Sequence, residues 1–266
     1  MSFVTLMTDF GLKDGNVGVM KGVIWRFAPG AQISDLSHLI GPQNVSEAAL
    51  ILARQAPFFP AGTVHVVVVD PGVGTARRPI AAHLGDSFFV GPDNGILTLL
   101  LEGAESEGRE VTIVHLDRPQ YWLPQVSHVF HGRDIFAPAA GHLAAGVPLR
   151  ELGTPIQDPV RLQLPQPEHT AGGLRGEVIH VDHFGNLSTN IRREHLGEPG
   201  PGLRVRLGEA VIQGMVRTFG ERAPGELVAL YGSSGNLIVS VVNGSAAQRL
   251  RAEVGDRVEV SGGQTI

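Results

Sequence analysis

Along the first half of the chain, apolar residues fall in short runs that stop at acidic or glycine-containing loops. Residues 3–7 form one such run, ending at Thr8-Asp9-Phe10-Gly11. Val17, Met20, Val23, Ile24 and Phe27 follow at helical spacing and stop before Pro29-Gly30. Residues 33–36 read as a second strand. Residues 45–56 read as a helix with Ala48, Ala49, Ile51 and Leu52 inward and Pro57 as its stop. The strongest run, 64–69, is almost wholly β-branched and halts at Asp70-Pro71-Gly72-Val73-Gly74-Thr75. An apolar run bounded this way predicts a buried strand ending in a tight loop.

The pattern continues with a hairpin, 80–83 and 87–90, turning at Gly85-Asp86. An apolar helix over 96–101, a polar loop over 102–109 and a strand over 111–116 come next. Phe130-His131-Gly132-Arg133-Asp134 then leads into an Ala-rich helix over 135–145. Alternating strands and helices predict a mostly parallel α/β sandwich domain. Between 153 and 173 the text turns to prolines and polar residues, ending in Gly172-Gly173. Beyond it, strand-like runs at 176–181, 203–207, 227–230, 237–242 and 257–260 are punctuated by turns, the pattern of a small all-β barrel or sandwich. One helix over 245–251, capped by Ser245, is expected there. The expected organisation is an α/β domain over 1–160, a linker over 161–173 and a β-barrel domain over 174–266.

Composition narrows the chemistry. The chain has 266 residues, 42% hydrophobic and 18% charged, with a net charge of −5. That is ordinary for a soluble globular protein, and no basic block points to nucleic acid or a membrane surface. No run of about 18 apolar residues predicts a membrane span. The N-terminal stretch does not read as a signal peptide, so the cytoplasm is the expected location. Cysteine is absent, which excludes disulfides, thiolate nucleophiles and Cys-ligated metals.

In an open α/β sheet, ligands bind beyond the carboxyl ends of the strands. Asp9, Asp70 and His131 all fall at such ends or at helix starts. Asp9 suits a ribose diol, or else a helix cap or turn. Asp70 and Arg77 flank the glycine loop, either as a reactive pair or as an ion pair bracing the turn. His131 reads as a general base, a metal ligand or a hydrogen-bonded structural histidine. In the second half, Asp182-His183-Phe184-Gly185-Asn186 reads as a β-turn or as an aromatic and an amide offered to a base. Tyr231-Gly232-Ser233-Ser234-Gly235 reads as a hairpin turn with hydroxyl and amide donors. The remaining histidines lack metal-ligand spacing, and Gly72–Gly74 lacks the Lys-Ser/Thr of a P-loop.

Taken in order, Thr8–Gly11 with Met20–Ile24, then 59–65, 70–77, Pro92-Asp93-Asn94-Gly95, 130–138, and Phe184-Gly185-Asn186 with Thr189-Asn190-Ile191 resemble one family. It is the S-adenosylmethionine hydrolases, or hydroxide adenosyltransferases, relatives of the fluorinase and chlorinase. The resemblance implies hydrolysis of S-adenosyl-L-methionine to adenosine and L-methionine. No cofactor is implied, since S-adenosylmethionine is the substrate. It further implies a homotrimer whose active sites lie between one subunit's N-terminal domain and its neighbour's C-terminal domain. The family's Asp–Arg–His triad maps onto Asp70, Arg77 and His131. The halogenases resemble it but carry tyrosines where this chain has Asp70 and His131, and the chlorinase shares the glycine at Gly132. The matching also implies Asp9 at the ribose hydroxyls, and Asp14, Asp182 and Ser233 at the methionine end. Asn186 and the backbone near Ala246 are implied at adenine, with Phe184 or Phe219 stacking. The halogenases have Trp at Gln43, and the fluorinase has Arg at Ser234. Three other readings stand beside this one, the first a halide-using adenosyl transferase, or halogenase. A binding protein for S-adenosylmethionine or adenosine would not need the triad. A metal-dependent phosphoesterase would use Asp9, Asp70 and His131 as ligands.

Overall fold

The run at 64–69 lies inside a seven-stranded sheet. The computed structural model describes residues 2–196, 200 and 202–262. It divides into two compact units, Met1–Gln163 and Leu164–Ile266.

In the first unit the strands are β1 (Phe3–Thr8), β2 (Gln32–Ser37), β3 (Val64–Val68), β4 (Pro79–Leu84), β5 (Ser87–Pro92), β6 (Val111–His115) and β7 (Thr154–Ile156). Their order is β2-β1-β3-β5-β4-β6-β7. The pairs among β2, β1, β3 and β5 are parallel, and those among β5, β4, β6 and β7 are antiparallel. The hairpin at Gly85-Asp86 is what reverses the direction. Helices α1 (Asn16–Phe27), α2 (Val45–Gln55), α3 (Thr98–Ser106) and α4 (Ala137–Ala144) cover the sheet.

Alternation along β3 explains why nearly every residue in it is apolar. Val64, Val66 and Val68 pack with Met20 and Ile24 of α1 and Ala139 and Ala140 of α4. Val67 and the following Val69 pack with Ala48 and Leu52 of α2 and Leu101 and Ala104 of α3. A strand buried on both faces is apolar throughout.

Two local expectations need correction. The polar stretch 102–109 is not all loop, because α3 runs on to Ser106. Leu97, Leu101 and Ala104 recur along it as a buried stripe, and the intervening Glu and Gly face outward. The Ala-rich helix does not begin at Ile135: Gly132–Phe136 form a π-helical turn that leads directly into α4.

The second unit is antiparallel. Its strands are β8 (Glu168–Thr170), β9 (Gly173–Val181), β10 (Leu187–Arg192), β11 (Arg204–Leu207), β12 (Ala210–Gln213), β13 (Leu227–Tyr231), β14 (Asn236–Val241) and β15 (Arg257–Ser261). They run β12-β11-β15-β9-β10-β14-β13, with β8 added beside β9. β8 lies within the stretch expected as linker. The Val216 N–H bonds to the Ala229 carbonyl of β13, so the sheet curls toward closure as a barrel. Leu174, Val178, Leu187, Val205, Leu237 and Val258 are among the residues filling it. Ser245 caps the short helix Ala246–Leu250, accepting from the Gln248 N–H at 3.1 Å. A further single-turn helix, Arg193–Leu196, follows β10.

Candidate active site

The site is built by register. β1 and β3 are parallel neighbours with Thr8 opposite Val68. The loops that follow them, carrying Asp9 and Asp70, therefore leave the sheet at the same rim. Strand order also reverses across β1, which is the switch-point geometry where α/β sheets open a crevice. A cavity of about 220 Å³ lies here, lined among others by Asp9, Phe10, Gln43, Asp70, Phe130 and His131.

Each wall has a physical anchor. Thr8 Oγ1 hydrogen-bonds His38 Nδ1 at 2.9 Å and accepts from the Phe10 N–H, which fixes the loop after β1. Asn94 Nδ2 donates to the Val69 carbonyl at 2.9 Å, holding the chain just before Asp70. Gly74 has φ +77°, and a Cβ there would lie 2.3 Å from the His128 carbonyl oxygen. Only glycine lets the Asp70 loop and the loop before His131 approach so closely. Asp134 is fully buried, accepts from the Ser127 N–H at 2.8 Å and pairs with Arg133. It thereby ties the same loop to the π-turn that begins beside His131, a kind of irregularity common at functional sites. The Phe130 ring meets Phe10 edge-on at 5.7 Å between centroids.

At the centre, Arg77 grips Asp70 with a fork. Nε donates to Asp70 Oδ1 at 3.0 Å, and Nη2 donates to Oδ2. The two side chains are only 7% and 5% exposed, so water screens the pair little. Nη2 also lies 3.2 Å from His131 Nδ1. A guanidinium has no acceptor, so Nδ1 must accept, and the proton of the neutral ring sits on Nε2. His131 is held below its ordinary pKa, first by burial and then by the Arg77 charge. Arg77 Nη1 is buried with no hydrogen-bond partner, a donor left over after the fork is made.

Asp70, Arg77, His131 and Asp9 thus come together in one unit. Asp9 Oδ2 accepts from the Gln43 backbone N–H at 2.8 Å. Asp14 lies in an exposed bend before α1. In the second unit, Asp182 accepts from the Phe184 N–H, the Asn186 N–H and Asn186 Nδ2. Gly185 of this turn seats against Ser245, and the Ala247 N–H bonds to the Gly185 carbonyl, bringing Ala246 to the same turn. Phe184 is 74% exposed. Ser233 is exposed in the β13–β14 turn, and Phe219 opens the separate short helix Phe219–Glu221. Sequence reasoning noted Gln43 only in passing, although its place after Pro42 in a turn was the available signal. Among the described residues no group of three or more His, Asp or Glu is arranged to hold a metal ion. No helix among them is long and apolar enough to cross a membrane.

Comparison with known proteins adds to this geometry. Residues 4–153 match the SAM hydroxide adenosyltransferase N-terminal domain, and residues 176–259 match the C-terminal domain of the same family. The chain is 43% identical over 264 residues to the (R)-S-adenosyl-L-methionine hydrolase of Salinispora tropica, covering 98% of each. It is 31% identical to a fluorinase of an Actinoplanes species, over 77% of this chain and 76% of that one. Its fold is similar to the crystal structure of an uncharacterized conserved protein from Thermotoga maritima, with a TM-score of 0.87 and 39% identity, over 97% of this chain and 99% of that chain.

Proposed function

This chain belongs to the SAM hydroxide adenosyltransferase family, and from that premise we propose that it hydrolyses S-adenosyl-L-methionine to adenosine and L-methionine. The name of its Salinispora tropica relative makes the (R) epimer at sulfur the substrate to try first. The observation that carries the reading is the Arg77 fork, which gathers Asp70 and His131 at the rim where Asp9 stands.

The chemistry fits what these residues supply. A sulfonium leaves without protonation, so the protein's task is to align a water with the ribose 5′ carbon and to exclude other water. The water oxygen forms a bond to C5′ as the C5′–S bond breaks. The bonding pair passes to sulfur, giving the thioether of methionine, and the proton lost by the water passes by way of the Asp70 carboxylate to solvent. Asp70 accepts a hydrogen bond from the attacking water and draws off positive charge as it develops. The Nε2–H of His131 donates to the water oxygen as it becomes hydroxide-like, and the buried Arg77 charge stabilises it electrostatically. A carboxylate beside the nucleophile also repels a halide anion, which favours water over the chemistry of the fluorinase relatives. Asp9 holds the ribose. Asp14, Asp182 and Ser233 serve the methionine portion, and Asn186 and the backbone near Ala246 serve adenine, with Phe184 or Phe219 stacking on it.

The working form in this reading is a homotrimer in which one subunit's N-terminal domain and its neighbour's C-terminal domain complete each site. The exposure of Leu12, Leu39 and Val129 in the first unit and of Phe184 in the second supports it. Sedimentation at micromolar concentration tests it, and a monomer refutes it. The reaction itself is tested by chromatography after incubating the purified protein with S-adenosylmethionine. Adenosine and methionine are expected; substrate recovered intact refutes the reading.

A further inference from the structure

Gln43 sits on backbone that its residue type disfavours. The Asn44 N–H bonds to the Gly41 carbonyl at 2.9 Å, closing a turn with Pro42 second and Gln43 third. Gln43 has φ 63°. A third turn position with positive φ normally holds glycine or asparagine. A backbone strained at a functional site is retained when something there requires it.

The backbone's duty at this position is clear. The Gln43 N–H points at Asp9 Oδ2 and fixes that carboxylate. Glycine would do the same with less strain. The side chain therefore needs its own reason. It lines the cavity, it is exposed, and its amide makes no hydrogen bond to another described residue. An amide both donates and accepts, which is what a hydroxyl neighbour requires.

We infer that Gln43 contacts the ribose of the bound nucleoside. Asp9 Oδ2 already accepts the Gln43 N–H, so Oδ1 is the more open oxygen to take a ribose hydroxyl. The Gln43 amide takes the adjacent hydroxyl. The turn thus sets both halves of a diol clamp, one through its backbone and one through its side chain. The inference rests on the reading of this cavity as a nucleoside site.

Calorimetric titration of adenosine, 2′-deoxyadenosine and 3′-deoxyadenosine into the wild type, Gln43→Gly and Gln43→Ala tests it. Gln43→Gly should melt at or above the wild-type temperature, because glycine relieves the strain. Both variants should bind adenosine about five- to tenfold more weakly, the loss of one neutral hydrogen bond. For one of the two deoxynucleosides the loss should nearly vanish. Unchanged adenosine affinity in Gln43→Gly, an equal loss for all three ligands, or no adenosine binding by the wild type overturns the assignment. Product analysis of the wild type separates the two claims. Adenosine binding that depends on Gln43, without turnover of S-adenosylmethionine, refutes the hydrolase reading and leaves the diol clamp standing.

Discussion

Arg77 donates to both carboxylate oxygens of Asp70 and, through the same Nη2, approaches His131 Nδ1. One guanidinium therefore sets the position of the anion and the tautomer of the imidazole together. Arg77→Lys keeps the charge and loses the planar fork. The expected result is a fall in kcat of about 10²-fold or more, by analogy with loss of one transition-state donor. Initial rates of adenosine formation measure it, and a variant within threefold of wild type would detach Arg77 from the reaction.

Asp70→Ala should abolish turnover more severely than it weakens adenosine binding, because Asp70 is assigned to the water. It also strands the buried Arg77 charge, a loss of about 3–5 kcal/mol in comparable pairs. Thermal melting is therefore recorded beside the kinetics, and Asp70→Asn, which keeps the shape, is the companion. A folded Asp70→Asn with wild-type kcat contradicts the assignment.

His131 is held below the ordinary histidine value of 6.5 by burial and by Arg77. Its neutral form therefore persists as pH falls below that value. The acid limb of the kcat profile should lie below pH 6.5. Proton NMR of the ring in Arg77→Gln should show titration at higher pH than in the wild type, since a neighbouring cation has been removed. A downward movement would reverse the sign and reject the coupling.

His65 offers a stability test away from the chemistry. It is buried near the start of β3, bonded to Thr5 Oγ1 at 2.8 Å, and its pKa is lowered to about 4 by burial. The unfolded chain takes a proton on this residue near pH 6.5, where the folded protein does not. Its contribution is thus fully present above 6.5 and lost as pH falls toward 4. The loss is on the order of 3 kcal/mol. Denaturant unfolding across this window measures it, and His65→Gln should flatten the slope.

Gly74→Ala adds a methyl where the His128 carbonyl already stands and where φ is +77°. A destabilisation of about 1–3 kcal/mol is expected, with a drop in kcat as the two loops separate. Wild-type melting and turnover would show that the close approach is dispensable.

Much of this was legible in the sequence for simple reasons. The run at 64–69 is apolar but for His65, so a buried strand was the natural reading, and its stop at Asp70-Pro71-Gly72 marked the rim. Asp9 and Asp70 were legible as strand-end residues, but their adjacency depends on the register of Thr8 with Val68, which no local pattern encodes. The helical stripe of Leu97, Leu101 and Ala104 was masked by Glu102 and Gly103 within it and Glu105 just after it. The strand Ala210–Gln213 was missed because four residues give too short an alternation. The strain at Gln43 is invisible in composition, since a Pro-Gln pair in a turn does not announce its dihedral angles.

The central claim is that water, placed by Asp70, Arg77 and His131, attacks the ribose 5′ carbon. Mass spectrometry of products formed in oxygen-18 water, with chloride and fluoride present, tests it most directly. The label should appear in the 5′ hydroxyl of adenosine, with methionine unlabelled. A halogenated deoxyadenosine as the main product, or adenosine without the label, would contradict the account.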